Sequence, residues 1–288
     1  MTEDIPAGVP VTLEPLVTRV LAPNPSPYTY TGTQTHIVGK GDVAVVDPGP
    51  ADEAHLRALL AVIGGRRVNA ILVTHHHRDH SPGAVRLSRE TGAPIVGAAP
   101  FAVAADDAEG GRPDAAFDPD YAPDRVLAEG DRLHGDGWTL EAVATPGHTK
   151  NHLAFALPET GALFSGDHVM GWSTSVVSPP DGDMTDYMAS LDKLLGRGDR
   201  VYYPGHGNEI DRPRRLVRGM LGHRRQREGQ ILRLAARAPH TVPDMVAHMY
   251  VGLDRRLVGA AQRSVLAHLI DLERRGMMMA EGDTWRRT

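Results

Sequence analysis

The run Thr74-His75-His76-His77-Arg78-Asp79-His80 places four imidazoles and a carboxylate within six residues. Histidine is the commonest metal ligand, and four protonated rings so close would repel one another, a conflict that a bound cation removes by holding them neutral. Imidazole and carboxylate donors suit zinc first, with manganese(II) or iron(II) as alternatives. The chain has no cysteine, so thiolate ligation, disulfides and cysteine nucleophiles are excluded.

Such a run needs donors from elsewhere in the chain. Three candidates each follow a predicted strand: His148 in Thr145-Pro-Gly-His-Thr149, Asp167 in Phe164-Ser-Gly-Asp-His168, and His206 in Tyr203-Pro-Gly-His-Gly207. In each, a glycine just before the donor permits a tight turn. Alone, each is ordinary loop chemistry; together, beside the histidine run, they describe a metal site. His152, four residues past His148, has two readings: it donates to the substrate or leaving group, or it supports the ligands by hydrogen bonding. Tyr28, Tyr30, Trp172 and Tyr187 are candidates for a pocket, although packing is the commoner role of aromatics. Lys150 either meets an anionic substrate or sits exposed on a turn.

The elements that must position these residues alternate. Residues 43–46 and 68–73 read as buried strands, the second running straight into Thr74, and between them Leu56, Leu59, Leu60 and Ile63 recur at helical spacing. A helix near 84–90 and strands near 94–97, 139–143, 152–157, 162–165 and 200–203 follow. Residues 105–136, rich in Asp, Pro and Gly, read as a lip over the site or as a solvated excursion. At residue 211 the composition changes: residues 212–288 hold 16 arginines against 7 acidic residues, a net +9, which leaves −14 on residues 1–211. A catalytic domain over 1–211 and a basic C-terminal domain over 212–288 are expected. The latter carries helices over 214–236, 242–250 and through Val258, Ala261, Val265, Leu269 and Leu272, then a hairpin over 276–287. The N-terminus has no targeting pattern and no stretch reaches membrane length, so a cytoplasmic enzyme without a membrane partner is expected.

Taken together, His75-x-His77-x-Asp79-His80 with Pro-Gly-His148, Gly-Asp167 and Pro-Gly-His206 resembles the metallo-β-lactamase-fold superfamily, in the order its members show. The resemblance implies an α/β fold, an αββα sandwich with the site at one sheet edge. It also implies that His75, His77 and His148 hold one metal, that Asp79, His80 and His206 hold a second, and that Asp167 bridges them. Asn24-Pro-Ser-Pro27 with Thr31-Gly-Thr33, Ser165-Gly-Asp-His-Val-Met-Gly171, Tyr187-Met-x-Ser190-Leu191 and His223-Arg-x-x-Arg227 extend it to the lactamase-β-2 type branch. In that branch the tail is a winged-helix-like domain, and an animal member is a metal-dependent endoribonuclease. His76 stands where an aromatic is common, and His168 where a cysteine or another residue often sits.

The resemblance implies a dinuclear hydrolase whose two divalent ions, zinc first, share a hydroxide that Asp79 orients. Its expected substrate is a small ester, thioester or lactone. One alternative is an endoribonuclease holding single-stranded RNA with the basic tail; another is a mononuclear iron sulfur dioxygenase. The tail itself has three readings: it docks on its acidic neighbour, contacts RNA, or makes a homodimer. β-Lactam hydrolysis is not expected as the main activity, because a fold does not fix a function.

Overall fold

The strand Val43–Val46 is apolar at every position because it is buried on both faces. Ala44 and Val46 join one core, Val43 and Val45 another. The computed structural model, which describes residues 6–100 and 116–288, repeats this division in two stacked sheets. The first runs in the order β1 (Pro10–Glu14), β2 (Val17–Leu21), β3 (Gln34–Val38), β4 (Val43–Val46), β5 (Val68–Val73), β6 (Ile95–Gly97) and β7 (Arg125–Val126). Strands β1 to β4 pair antiparallel and β4 to β7 parallel. Parallel neighbours need crossovers, and α1 (Glu53–Ile63) and α2 (Gly83–Thr91) supply two of them. Leu59 and Ile63 of α1 and Leu87 of α2 pack on Ile37, Val45 and Ile71.

The second sheet is ordered β12-β11-β10-β9-β8, from β8 (Arg132–Gly135), β9 (Trp138–Ala144), β10 (Leu153–Leu157), β11 (Ala162–Gly166) and β12 (Val201–Pro204). Its parallel pair, β11 and β12, is connected through α3 (Met184–Leu195). Trp138, Leu140, Phe155 and Phe164 meet Val17, Val38, Leu72 and Val96 between the sheets. Tyr187, Leu191 and Leu194 of α3, with Val217 and Met220 of α4 (Pro213–Ala235), cover the outer face. The layers are therefore helix, sheet, sheet, helix, as expected.

Helix α4 continues into a second core, where Ile231 and Ala235 meet Met245 of α5 (Val242–Met249), Val265 and Leu269 of α6 (Val258–Arg274), and Trp285. A small sheet of β13 (His240–Thr241), β14 (Met278–Glu281) and β15 (Thr284–Arg287), with β15 central, completes a winged-helix arrangement. This domain is tied to α3. Thr185 Oγ1 donates to Asp271 Oδ1 at 2.7 Å, Arg274 pairs with Asp183, and Ala267 enters the core beneath α3. Of the expected excursion over 105–136, residues 105–115 lie outside the described residues, while 116–136 hold the edge strands β7 and β8. Among the described residues, no helix is long and apolar enough to cross a membrane.

Candidate metal centre

The seven expected ligands come together at the C-terminal ends of strands: His75, His77, Asp79 and His80 after β5, His148 after β9, Asp167 after β11 and His206 after β12. They form two adjoining groups of ligand spacing, His75 with His77 and His148, and Asp79 with His80, Asp167 and His206. In the first, His77 Nδ1 lies 3.0 Å from His75 Nε2 and 3.2 Å from His148 Nε2. In the second, His206 Nε2 lies 3.1 Å from Asp79 Oδ2 and 3.3 Å from His80 Nε2. Asp167 Oδ2 is 3.4 Å from His206 Nε2 and 3.8 Å from His148 Nε2, so one carboxylate reaches both groups. All three preceding glycines are required by geometry. Gly147 has φ +132° and Gly166 φ +49°, and a Cβ on Gly205 would lie 2.6 Å from Asp167 Oδ1.

Hydrogen bonds outside the groups decide which nitrogens face inward. Val176 O and Gly32 O can only accept, from His148 Nδ1 at 2.7 Å and His206 Nδ1 at 3.2 Å, so both rings turn Nε2 inward. His80 Nδ1 donates to Asp47 Oδ2 at 2.9 Å. The Thr74 hydroxyl gives its proton to that same carboxylate and therefore accepts from His75 Nδ1, again at 2.9 Å. Four of the five rings thus aim Nε2 at the groups, and His77 presents Nδ1. Convergent ring nitrogens and carboxylates with outward-facing N–H groups fit divalent cations.

The two groups differ electrostatically. Burial opposes charge on His75 and His77, and the neighbouring histidines reinforce it, holding His75 well below its ordinary pKa and His77 at about 3. Burial acts the same way on His80 and His206. There Asp79 and Asp167 outweigh it, lifting His80 well above its ordinary value and His206 to about 10. Burial also pushes the Asp79 and Asp167 carboxyls up, but His80 and His206 outweigh it and hold both well below the usual range. A cation meeting His75 and His77 displaces no proton from either ring, whereas one entering the other group competes with protons on His80 and His206.

Asp47 was not among the residues singled out from sequence. It holds a left-handed backbone at φ 50° and accepts from the Thr74 N–H and hydroxyl as well as from His80. Removing it leaves His80 without its orienting partner and releases the Thr74 hydroxyl that holds His75. Asp47→Ala is expected to weaken metal binding by about 10- to 100-fold, measured by competition with a chelator; unchanged affinity in a folded variant would show the rings are held by packing alone.

The hydrogen bonds of His152 match the second of its two readings. It is buried behind the ligands, where Nε2 accepts the Asp167 N–H at 3.1 Å and Nδ1 therefore donates to Thr145 Oγ1 at 2.8 Å. His76 sets Nε2 3.2 Å from Asp181 Oδ2 and bonds the Asn151 amide through Nδ1. With His77 and Asp181 it also has ligand spacing, but its nitrogens are already engaged. Of the four aromatics, Tyr28 lines the cavity over the groups, Tyr30 stacks on Trp172 with centroids 5.0 Å apart, and Tyr187 is core. Lys150 donates its backbone N–H to Asp181. The cavity measures about 420 Å³ and reaches from Asp79, Asp167 and His206 to apolar Met170 and Val176.

Comparison with known proteins bears on the same residues. The model of the metallo-beta-lactamase superfamily matches residues 30–206, and that of the beta-lactamase associated winged helix domain matches residues 241–285. The chain is 34% identical over 277 residues to the beta-lactamase-like protein 2 homolog of Drosophila melanogaster, covering 91% of this chain and 89% of that one. It is 33% identical over 223 residues to an atrochrysone carboxyl ACP thioesterase of Aspergillus fumigatus, covering 76% of this chain and 65% of that one. A crystal structure of a metallo-beta-lactamase family protein from Thermus thermophilus superposes with a TM-score of 0.79 at 26% identity, over 96% of this chain and 100% of that one.

Proposed function

The chain belongs to the metallo-beta-lactamase superfamily and is a hydrolase, and from that premise we propose that it uses two divalent ions, zinc first, to hydrolyse a small thioester, ester or lactone. The observation that carries this reading is Asp167, whose carboxylate lies between two complete ligand groups at the floor of one cavity. A metal pair held there supplies a water acidified towards a pKa of about 7 and polarises the substrate's carbonyl oxygen.

The chain's own residues do the rest. His75, His77 and His148 would hold one ion, and Asp79, His80 and His206 the other, with Asp167 between them. Asp79 is the ligand most open to the cavity, at 24% side-chain exposure. Its carboxylate orients the attacking water and hands the proton taken from it to the departing thiolate or alkoxide. His152 fixes the backbone that aims Asp167. Met170 and Val176 present an apolar wall to the acyl chain and keep bulk water from it. A thioester heads the substrate classes because a relative that shares most of this chain carries a thioesterase name.

The exposed arginines of α4, Arg214, Arg215, Arg218, Arg225 and Arg233, favour a second reading, an endoribonuclease that holds single-stranded RNA. The two respond differently to salt. Between about 50 and 200 mM salt, RNA cleavage falls steeply as counterions compete, whereas turnover of a neutral thioester stays nearly flat. The test combines elemental analysis of purified protein with thioester, lactone, β-lactam and RNA substrates. Thioester turnover with both ligand groups filled is the expected result. One iron per chain with oxygen uptake would replace it by the dioxygenase reading.

A further inference from the structure

The run His223-Arg-x-x-Arg227 sets two arginines one turn apart on α4, and they serve different domains. Arg227 stays with the winged helices, where its guanidinium stands 4.1 Å from the Tyr250 ring centroid and donates to Met249 O at 3.1 Å. Arg224 turns to the catalytic domain. Its guanidinium lies over the Tyr187 ring of α3, 5.0 Å from the centroid, and donates to Ser175 O. The residue is 3% exposed, and among the described residues no carboxylate forms an ion pair with it. A buried charge is costly unless its surroundings compensate it, so a guanidinium buried against a carbonyl oxygen and a ring needs a reason.

The segment it holds supplies one. The Ser175 hydroxyl reaches Asp167 O at 2.5 Å and His168 O at 3.0 Å, and Val176 O accepts from His148 Nδ1 at 2.7 Å. Tyr187, beneath the guanidinium, donates its hydroxyl to His168 O at 3.1 Å, and its Cα would lie 2.3 Å from a Cβ on Gly147. Through Ser175 and its neighbour Val176, Arg224 therefore bears on Asp167, which reaches both ligand groups, and on His148, which belongs to the first. A hydrogen bond from a charged donor is roughly twice as strong as one between neutral groups, which makes it a firm anchor for a loop.

We propose that Arg224 is a positioning residue for the metal centre: the C-terminal domain reaches through it to fix Ser175 and Val176, and thereby the backbone of Asp167 and the ring of His148. The proposal rests on the metal-dependent hydrolase reading of the preceding section and gives the tail a part in building that site.

Its test is zinc affinity, measured on the full chain by competition with a chelator. Arg224→Met keeps an unbranched apolar stem beside Tyr187 and removes the bond to Ser175 O, and it is expected to bind zinc about 10- to 100-fold more weakly. Arg224→Lys, which returns a cation and a donor, restores part of the loss, while Arg227→Met, which loosens the tail alone, stays close to wild type. A folded Arg224→Met that binds zinc as tightly as wild type overturns the proposal and leaves the hydrolase reading standing, as does an Arg227→Met that loses as much. If Arg224→Met does not fold, Ser175→Ala decides, because it removes only the hydroxyl that links the clamp to Asp167. Weaker zinc binding in that variant supports the proposal, and unchanged binding ends it. If the wild type takes up no divalent ion, the metal-dependent reading falls, and amide hydrogen exchange of the metal-free protein decides alone. Faster exchange across residues 167–176 in Arg224→Met than in Arg227→Met keeps the clamp, and equal rates remove it.

Discussion

Asp79→Ala is expected to lower kcat/KM by about a thousandfold or more, roughly 4 kcal/mol of lost transition-state stabilisation, while the protein stays folded. Two losses coincide in this one side chain. Asp79 has ligand spacing with His80, Asp167 and His206, and in the proposed mechanism its carboxylate handles the proton of the attacking water. Removing it takes a counter-charge from His80 and His206, whose raised pKa values depend on it, so both hold their protons less tightly. The three-histidine group keeps every donor, and elemental analysis should still find the ion held there. Circular dichroism separates a catalytic loss from unfolding. Turnover within about tenfold of wild type, with metal content unchanged, would show that neither the second group nor its carboxylate takes part in the reaction.

The candidate ligands were legible because each is a side chain with few structural uses at the end of a strand made recognisable by β-branched residues, as in 68–73 leading to His75. Asp47 carries the same kind of information but was hidden: an aspartate before Pro-Gly already has an explanation as a turn residue. Strand β3 escaped for a related reason. Its sequence Gln34-Thr-His-Ile-Val38 begins with three polar residues, all buried, so neither alternation nor apolar continuity marks it. Their burial is possible because the site's scaffold supplies partners: Gln34 donates to Gly207 O, and Thr35 to Asp47 O at 2.6 Å. Helix α3 did carry a signal, Tyr187, Leu191 and Leu194 at spacings of four and three, but Tyr187 and Leu191 were read as part of a motif rather than of an element.

Two features lay beyond one-dimensional reading altogether. The role of His152 depends on whether its Nε2 faces the cavity or the Asp167 N–H, which four residues of separation from His148 cannot specify. The clamp that Arg224 places on Ser175 depends on how the two domains dock, through pairs such as Thr185 with Asp271, 86 residues apart. The positive tail has a use that charge counting does not show. Arg274 meets Asp183 on the catalytic domain and Arg224 reaches Ser175 O, while the exposed arginines of α4 remain turned to solvent.

Acid is expected to destabilise the fold sharply below about pH 6.5, through histidines that do not ligate metal. His36 lies between Phe164 and Tyr203, with ring centroids 5.1 and 5.7 Å away and no partner for Nε2. Burial and then the charge of Arg19 hold it at about 3. Burial holds His55 at about 4, against a smaller opposing pull from Asp52, and it holds His268 at about 3 with help from Arg224. The sign follows from the unfolded chain. There each ring titrates near 6.5, so below that pH the unfolded state takes up protons that the folded state refuses, and the stability present above pH 6.5 is lost until pH falls to the folded values. At pH 5 the loss is about 2 kcal/mol per histidine, about 6 in all, against a typical total of about 5–15 kcal/mol. Metal release in acid adds a loss of its own, so the decisive comparison is with His268→Leu. Neither nitrogen of that ring has a partner, and the substitution forfeits no hydrogen bond. Both proteins lose metal alike, but the variant's stability should fall less steeply by about 1.4 kcal/mol per pH unit in urea titrations across this range. Parallel curves would mean that His268 is protonated in the folded protein and that its cavity admits enough water to bear the charge.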